Sequence, residues 1–164
     1  MTDDAPDPLL PTVTDDTTGS ADTVQRFLFA MAEQDFDTFE SLAAPDLVWQ
    51  NVGLPTIRGR SRILKMLRRG EGKVGFLVKF HRIAADERSG AEQTGRGGTV
   101  LTERTDALIF GPLRLQFWVC GTFEVNDNGQ ITLWRDYFDY LDVMIKAPAR
   151  AIAGLVVPSL RPSF

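Results

Sequence analysis

Residues 100–125 read VLTERTDALIFGPLRLQFWVCGTFEV, and the period of this stretch decides the fold. Val, Ile, Thr, Phe and Trp recur in it, and side chains on an extended chain point alternately to two faces. Thr102, Arg104, Asp106 and Leu108 therefore share one face of a strand over residues 100–110. Glu103, Thr105, Ala107 and Ile109 share the other. Gly111-Pro112 breaks the run as a tight turn, and residues 113–125 read as the returning strand. Working outward, residues 74–84 and 130–139 carry the same period of two. Asn126-Asp127-Asn128-Gly129 is a strong turn, and residues 86–98, with Gly90, Gly95, Gly97 and Gly98, are a loose hairpin loop.

The first half of the chain has a helical period instead. Asp22 to Gln25 is a capping-box-like start followed by Val24, Phe27, Leu28 and Met31. Asp35 can cap a second short helix through Phe36, Phe39 and Leu42, stopped by Pro45. Residues 47–52 read as a strand, and Arg60–Arg69 as a third helix ended by Gly70. A last helix is expected over residues 140–146, before Pro148, then an apolar tail over residues 147–160. Helices first and a meander of long strands afterwards argue an α+β fold, with helices on one face of a curved sheet. A bent sheet closed by helices makes a cone with a pocket inside.

The chain has 164 residues, enough for one domain with a sizeable core. Its 43% apolar and 24% charged content is that of an ordinary globular chain. A single cysteine, Cys120, excludes an internal disulfide, and one cysteine with one histidine cannot build a Cys/His zinc cage. Residues 1–20 hold five aspartates and no Lys or Arg; without them 18 basic residues face 17 acidic ones. This near-neutral body, residues 21–164, reads as one domain and does not suggest a nucleic-acid partner. Residues 1–20 read as a disordered acidic tail, without the basic and apolar regions of a signal peptide. With no run of eighteen apolar residues, membrane insertion is not expected and cytoplasmic residence is the default.

Several strands place ionisable groups among apolar ones. Thr132, Trp134, Asp136 and Phe138 share a face, as do Leu47, Trp49 and Asn51. Polar groups among apolar neighbours suggest a pocket. An Arg and an Asp two apart on a strand also form surface ion pairs of little worth. The period alone leaves both readings open.

The segments Trp49-Gln50-Asn51, Leu101-Thr102-Glu103-Arg104-Thr105-Asp106 and Trp134-Arg135-Asp136-Tyr137-Phe138-Asp139 resemble the limonene-1,2-epoxide hydrolase family. Their order and spacing agree over residues 23–144, and residues 100–138 most resemble its mycobacterial lipid- and steroid-accepting branch. The resemblance implies the cone of the nuclear-transport-factor-2-like (NTF2-like) and ketosteroid-isomerase-like superfamily, a homodimer, and epoxide opening without a cofactor or metal. By the same resemblance Asp136 matches the general base that activates water, and Asp106 the general acid that protonates the epoxide oxygen. Arg104 matches the arginine bridging the two, and Asn51 the amide that helps hold the water. Trp49 stands where the family usually has a tyrosine; an indole offers one donor and no acceptor, whereas a phenol offers both.

The chemistry explains the residue types. Alkoxide is a poor leaving group and water a weak nucleophile, so one-step opening needs a proton given while another is taken. Two carboxylates and one guanidinium total −1, and uptake of one proton makes the cluster neutral. The expected lining is apolar: Leu28, Met31, Leu77, Leu108, Phe117, Val119 and Phe138, selecting a terpenoid, fatty or sterol-like epoxide by shape. The alternatives are an isomerase or cyclase using an aspartate base on the same cone, and a non-catalytic lipid carrier. His81 and Cys120 read as structural residues, Cys120 in an apolar core, and the basic stretch from Arg58 to Arg69 as a solvated helix face.

Overall fold

The computed structural model describes residues 19–87 and 97–162. Most of the acidic tail and of the loop expected over residues 86–98 thus lie outside the described residues. The elements are α1 (Ser20–Glu33), α2 (Phe36–Leu42), β1 (Ala43–Asn51), β2 (Ile57–Arg58), α3 (Arg60–Arg69), β3 (Gly75–Glu87), β4 (Gly98–Phe110), β5 (Leu113–Val125), β6 (Ile131–Tyr137) and α4 (Ala147–Val156). They form one six-stranded sheet in the order β2-β1-β6-β5-β4-β3. β1 runs parallel to β6, and every other pairing is antiparallel. The strands expected from the period of two are thus all present.

Helix α1 begins at Ser20, not at the box around Asp22, and Gly19 takes the N-cap position without a side-chain cap. Asp22 instead falls in the first turn, where its charge suits the helix dipole and lies 3.8 Å from Arg26 one turn on. Asp35 does cap α2, accepting from Thr38 N at 3.1 Å. Val24, Phe27 and Leu28 of α1, Phe39 of α2 and Ile63 of α3 are fully buried against Val100, Phe123 and Ile131 of the sheet. Beside this core lies a cavity lined by Asn51, Asp106 and Asp136.

The C-terminal segment differs from expectation. Asp142–Lys146 forms a π-helical turn that leads straight into α4, so the tail is a regular helix through Val156. Pro148 does not stop it: it is the second residue of α4, directly after the π-helical turn, where the regular i→i−4 ladder is already interrupted. Ala147, Ala151 and Gly154 are the small residues that let α4 settle against the molecule, and Arg150 donates to the Gln116 carbonyl of β5 at 3.0 Å. Cys120 is exposed rather than in the core. It lies on the outer face of β5, one residue out of phase with buried Val119 and Gly121. His81 sits at a register shift of β3 and shares a 2.8 Å hydrogen bond with Thr105 Oγ1 on the exposed side.

Candidate active site

Register brings the ionisable groups together. Asn51 of β1 lies opposite Asp136 of β6, and Trp49 opposite Trp134. Asp136 in turn pairs with Gly121 of β5, and Gly121 with Thr102 of β4. Arg104 and Asp106 follow Thr102 on the same face. Three strands thus carry one polar row across the concave floor.

Arg104 is the largest fully buried side chain among the described residues and reaches across this row. Its Nε donates to both oxygens of Asp106, at 3.0 and 3.1 Å. Its Nη2 donates to Asp136 Oδ1 at 2.6 Å and its Nη1 to Thr102 Oγ1 at 3.0 Å. The guanidinium carbon stands 5.7 Å from the centre of the Phe123 ring, a cation over an aromatic face. Trp134 Nε1 supplies one more donor, to Asp136 Oδ2 at 2.7 Å.

Removal from water disfavours charge on both acids. Burial pushes Asp106 up to about 6 against the opposing pull of Arg104, with Asp136 adding to the rise. Asp136 is also raised, by burial first, while Arg104 and the Trp134 indole oppose that rise. Arg104 is disfavoured by burial, yet the two carboxylates more than compensate and hold its pKa above the usual value. The trio is one coupled unit of two acids and one cation, whose first proton is taken up readily.

Above it lies a cavity of about 400 Å³. Asn51, Asp106 and Asp136 form its polar floor, and Trp49 and Trp134 stand beside them. Of the expected apolar lining, Met31, Leu108, Phe117, Val119 and Phe138 do line it. Leu28 does not: it is fully buried in the core between α1 and the sheet, one turn before Met31. Leu77 does not either, and is 40% exposed. Residues 74–78 are apolar on both faces, so their hydrophobicity does not reveal the phase, and Phe76 occupies the inward position. Gln34, Phe36, Met66, Leu67 and Val143 complete the wall without having been expected. They come from turns and helix ends, whose aim into a cavity has no period to betray it. Trp134 carried a legible signal, since it stands two residues before Asp136 on the same face.

The Trp49 ring stacks on Trp134, centroids 4.6 Å apart and planes 15° from parallel. Its Nε1 is buried without a hydrogen-bond partner among the described residues. Among those residues no group of three or more His, Cys, Asp or Glu side chains gathers to hold a metal ion.

Comparison with known proteins gives this geometry a family. The limonene-1,2-epoxide hydrolase catalytic domain matches residues 18–150. The chain is 56% identical over 138 residues to "Epoxide hydrolase EphG" of Mycobacterium tuberculosis (strain ATCC 25618 / H37Rv), covering 84% of this chain and 85% of that protein. The solved structure of an M. tuberculosis LEH-like epoxide hydrolase superposes with a TM-score of 0.78 at 53% identity, covering 88% of this chain and 95% of that one. A putative polyketide cyclase from Xanthomonas campestris pv. campestris shares the fold at 17% identity and a TM-score of 0.59, over 78% and 96% of the two chains. A putative ketosteroid isomerase from Kribbella flavida DSM 17836 does so at 15% and 0.52, over 73% and 77%. Those two distant likenesses establish the α+β cone alone. With the family's catalytic domain spanning most of the chain and a curated relative more than half identical, this protein belongs to the limonene-1,2-epoxide hydrolase family and is an epoxide hydrolase of that type.

Proposed function

We propose that the protein opens a lipophilic epoxide to a vicinal diol in one step, without a covalent intermediate or a cofactor. The observation that carries this reading is Arg104 bridging Asp106 and Asp136 on the floor of an otherwise apolar cavity. Asp136, ionised, takes a proton from a water whose oxygen attacks an epoxide carbon. The C–O bond of the ring breaks, and its oxygen takes the proton of the Asp106 carboxyl. Asn51 orients the water from the facing strand, and the buried N–H of Trp49 is a free donor for its oxygen. After turnover the proton rests on Asp136 and returns to Asp106 through the Arg104 bridge or solvent. The lining selects terpenoid, fatty or sterol-like epoxides by shape.

The test is turnover of monoterpene, fatty-acid and sterol epoxides in ¹⁸O-labelled water. A diol carrying one labelled oxygen, lost in Asp106→Asn and Asp136→Asn variants that still fold, supports the reading. Product without label would point to isomerisation, and tight binding without any product to a carrier.

The same reading includes a homodimer. It is supported by the outer sheet face, where Trp118 and Tyr137, diagonal neighbours on β5 and β6, are each more than 40% exposed. Apolar side chains concentrated in this way suit a second copy of the chain. Light scattering of the purified protein decides it: a mass near 18.2 kDa would exclude the dimer.

A further inference from the structure

We infer that Trp134 is a positioning residue that keeps the ionised state on Asp136 and leaves the transferable proton on Asp106. The inference rests on the acid–base reading above and deepens it. Arg104 alone does not settle the choice, because it touches both carboxyl groups. The remaining donors are unequal. Asp136 has one N–H on each oxygen, from Arg104 at 2.6 Å and from Trp134 at 2.7 Å. Asp106 has the single Nε–H of Arg104, divided between its two oxygens at 3.0 and 3.1 Å. Hydrogen bonds to an ionised acceptor are roughly twice as strong as those to a neutral one. Protonating Asp136 therefore forfeits more than protonating Asp106, and the indole N–H is the part of that difference that does not come from Arg104.

That donor is held rigidly. Trp134 is 2% exposed. Its ring lies parallel to Trp49 on one contact and, at 14° and 6.5 Å, to Phe123 on another, with the edge of Phe27 at 88° and 5.5 Å. An indole nitrogen has no acceptor function, so it cannot adapt by turning a lone pair to a protonated Asp136. The strand register that sets Asn51 against Asp136 also sets Trp49 against Trp134, so the clamp and the floor are built by the same pairing. In this chain the ring of Trp49 thus acts on the base through Trp134.

The experiment compares the full-length protein with Trp134→Phe, which keeps an aromatic ring in the stack and removes the N–H. Two readouts are taken from pH 5 to 9: kcat/KM for the epoxide that the wild type turns over fastest, and the ¹³Cγ titration of Asp136, assigned by its loss in Asp136→Asn. The expected result is an acid limb moved up by about one pH unit, with the plateau about tenfold lower because the proton more often sits on the wrong acid. The Asp136 carbon should titrate at higher pH by a similar amount. A rate lowered by one factor at every pH, with the Asp136 titration unmoved, overturns the inference and leaves Trp134 a wall residue. If the phenylalanine variant does not fold, 3-benzothienylalanine at position 134 replaces N–H by sulfur in a ring of nearly the same shape, and the same two outcomes apply. Should the wild type open no epoxide, the carboxyl titration still decides the role of Trp134, while the proposed reaction falls separately.

Discussion

The guanidinium of Arg104 occupies the space that a side chain on Gly121 would fill. A Cβ built on Gly121 collides with Arg104 Nη1 and stands 2.7 Å from Thr102 Oγ1 and 2.9 Å from the Phe123 ring. β5 therefore has a glycine where it passes between β4 and β6, and the opening is what lets one arginine reach acids on both strands. Gly121→Ala must move Arg104, since the backbone beside it is fixed by two ladders. Diol formation should fall at least a hundredfold. Overpacking of this kind costs about 1–3 kcal/mol, so the variant should remain folded with a lower melting temperature. Turnover and thermal unfolding measured together check this; an active variant would mean that the bridge is not needed.

Arg104→Met tests the other side of the same balance. Without the cation, Asp106 and Asp136 face each other, both buried, with no positive charge between them. Removing one partner of a buried ion pair costs about 3–5 kcal/mol. The loss should be largest at pH 8, where the acids must give up buried protons or carry unpaired charge. It should shrink at pH 5, where both are neutral. Urea unfolding at the two pH values reads the difference directly, and an equal loss at both would show that packing alone is at stake.

The fold was legible because its long strands announce themselves. Residues 100–125 alternate so regularly that β4, β5 and their turn follow from the sequence within a residue or two. The polar row was half legible: alternation put Thr102, Arg104 and Asp106 on one face, and only family resemblance brought Asp136 and Asn51 to them. Pairing between strands is a tertiary fact that no local period encodes. Where both faces are apolar, as around Leu77, the phase itself was lost. The C-terminal helix was missed for a different reason: Pro148 after the expected helix over residues 140–146 reads as a stop, and no local pattern announces the π-helical turn that carries the chain past it.

Asp106 gives the protein a pH dependence of definite sign. Burial raises this carboxyl from 3.8 to about 6, so the native state holds the proton more tightly than the unfolded chain does. The stability it contributes is full below about pH 4 and is lost as pH rises through about 6. A shift of this size corresponds to about 3 kcal/mol at most, shared with Asp136. Asp106→Asn mimics the protonated form and should abolish both the proton transfer and this part of the pH dependence. Relative to wild type the variant should be more stable at pH 8 than at pH 5. The wild-type rate should decline on the alkaline side as the pair gives up its one proton. Asp35 and Asp142 oppose this trend near pH 4: hydrogen bonds lower both, so their contribution is present above that range and fades below it. Denaturation curves across pH 2–8 for wild type and Asp106→Asn separate the two trends, and parallel curves between pH 4 and 8 would refute the assignment.

Gln34 controls the cavity from outside the polar row. It follows the last residue of α1 with φ of 59°, and its side chain ties down the turn after α3. Nε2 donates to the Val74 carbonyl at 3.1 Å and Oε1 accepts from Gly72 N at 3.2 Å. Gly70, Val74 and Gln34 all line the cavity, so this clamp holds one side of the wall. Gln34→Gly suits the left-handed backbone, which isolates the effect of the lost side chain. Two hydrogen bonds of about 1 kcal/mol each are removed at the wall and none at the floor. KM for a lipophilic epoxide should therefore rise about three- to tenfold through weaker ground-state binding, with kcat within about threefold of wild type. Steady-state kinetics on the same substrate decide it: a collapse of kcat at unchanged KM would place Gln34 in the chemistry rather than in the wall.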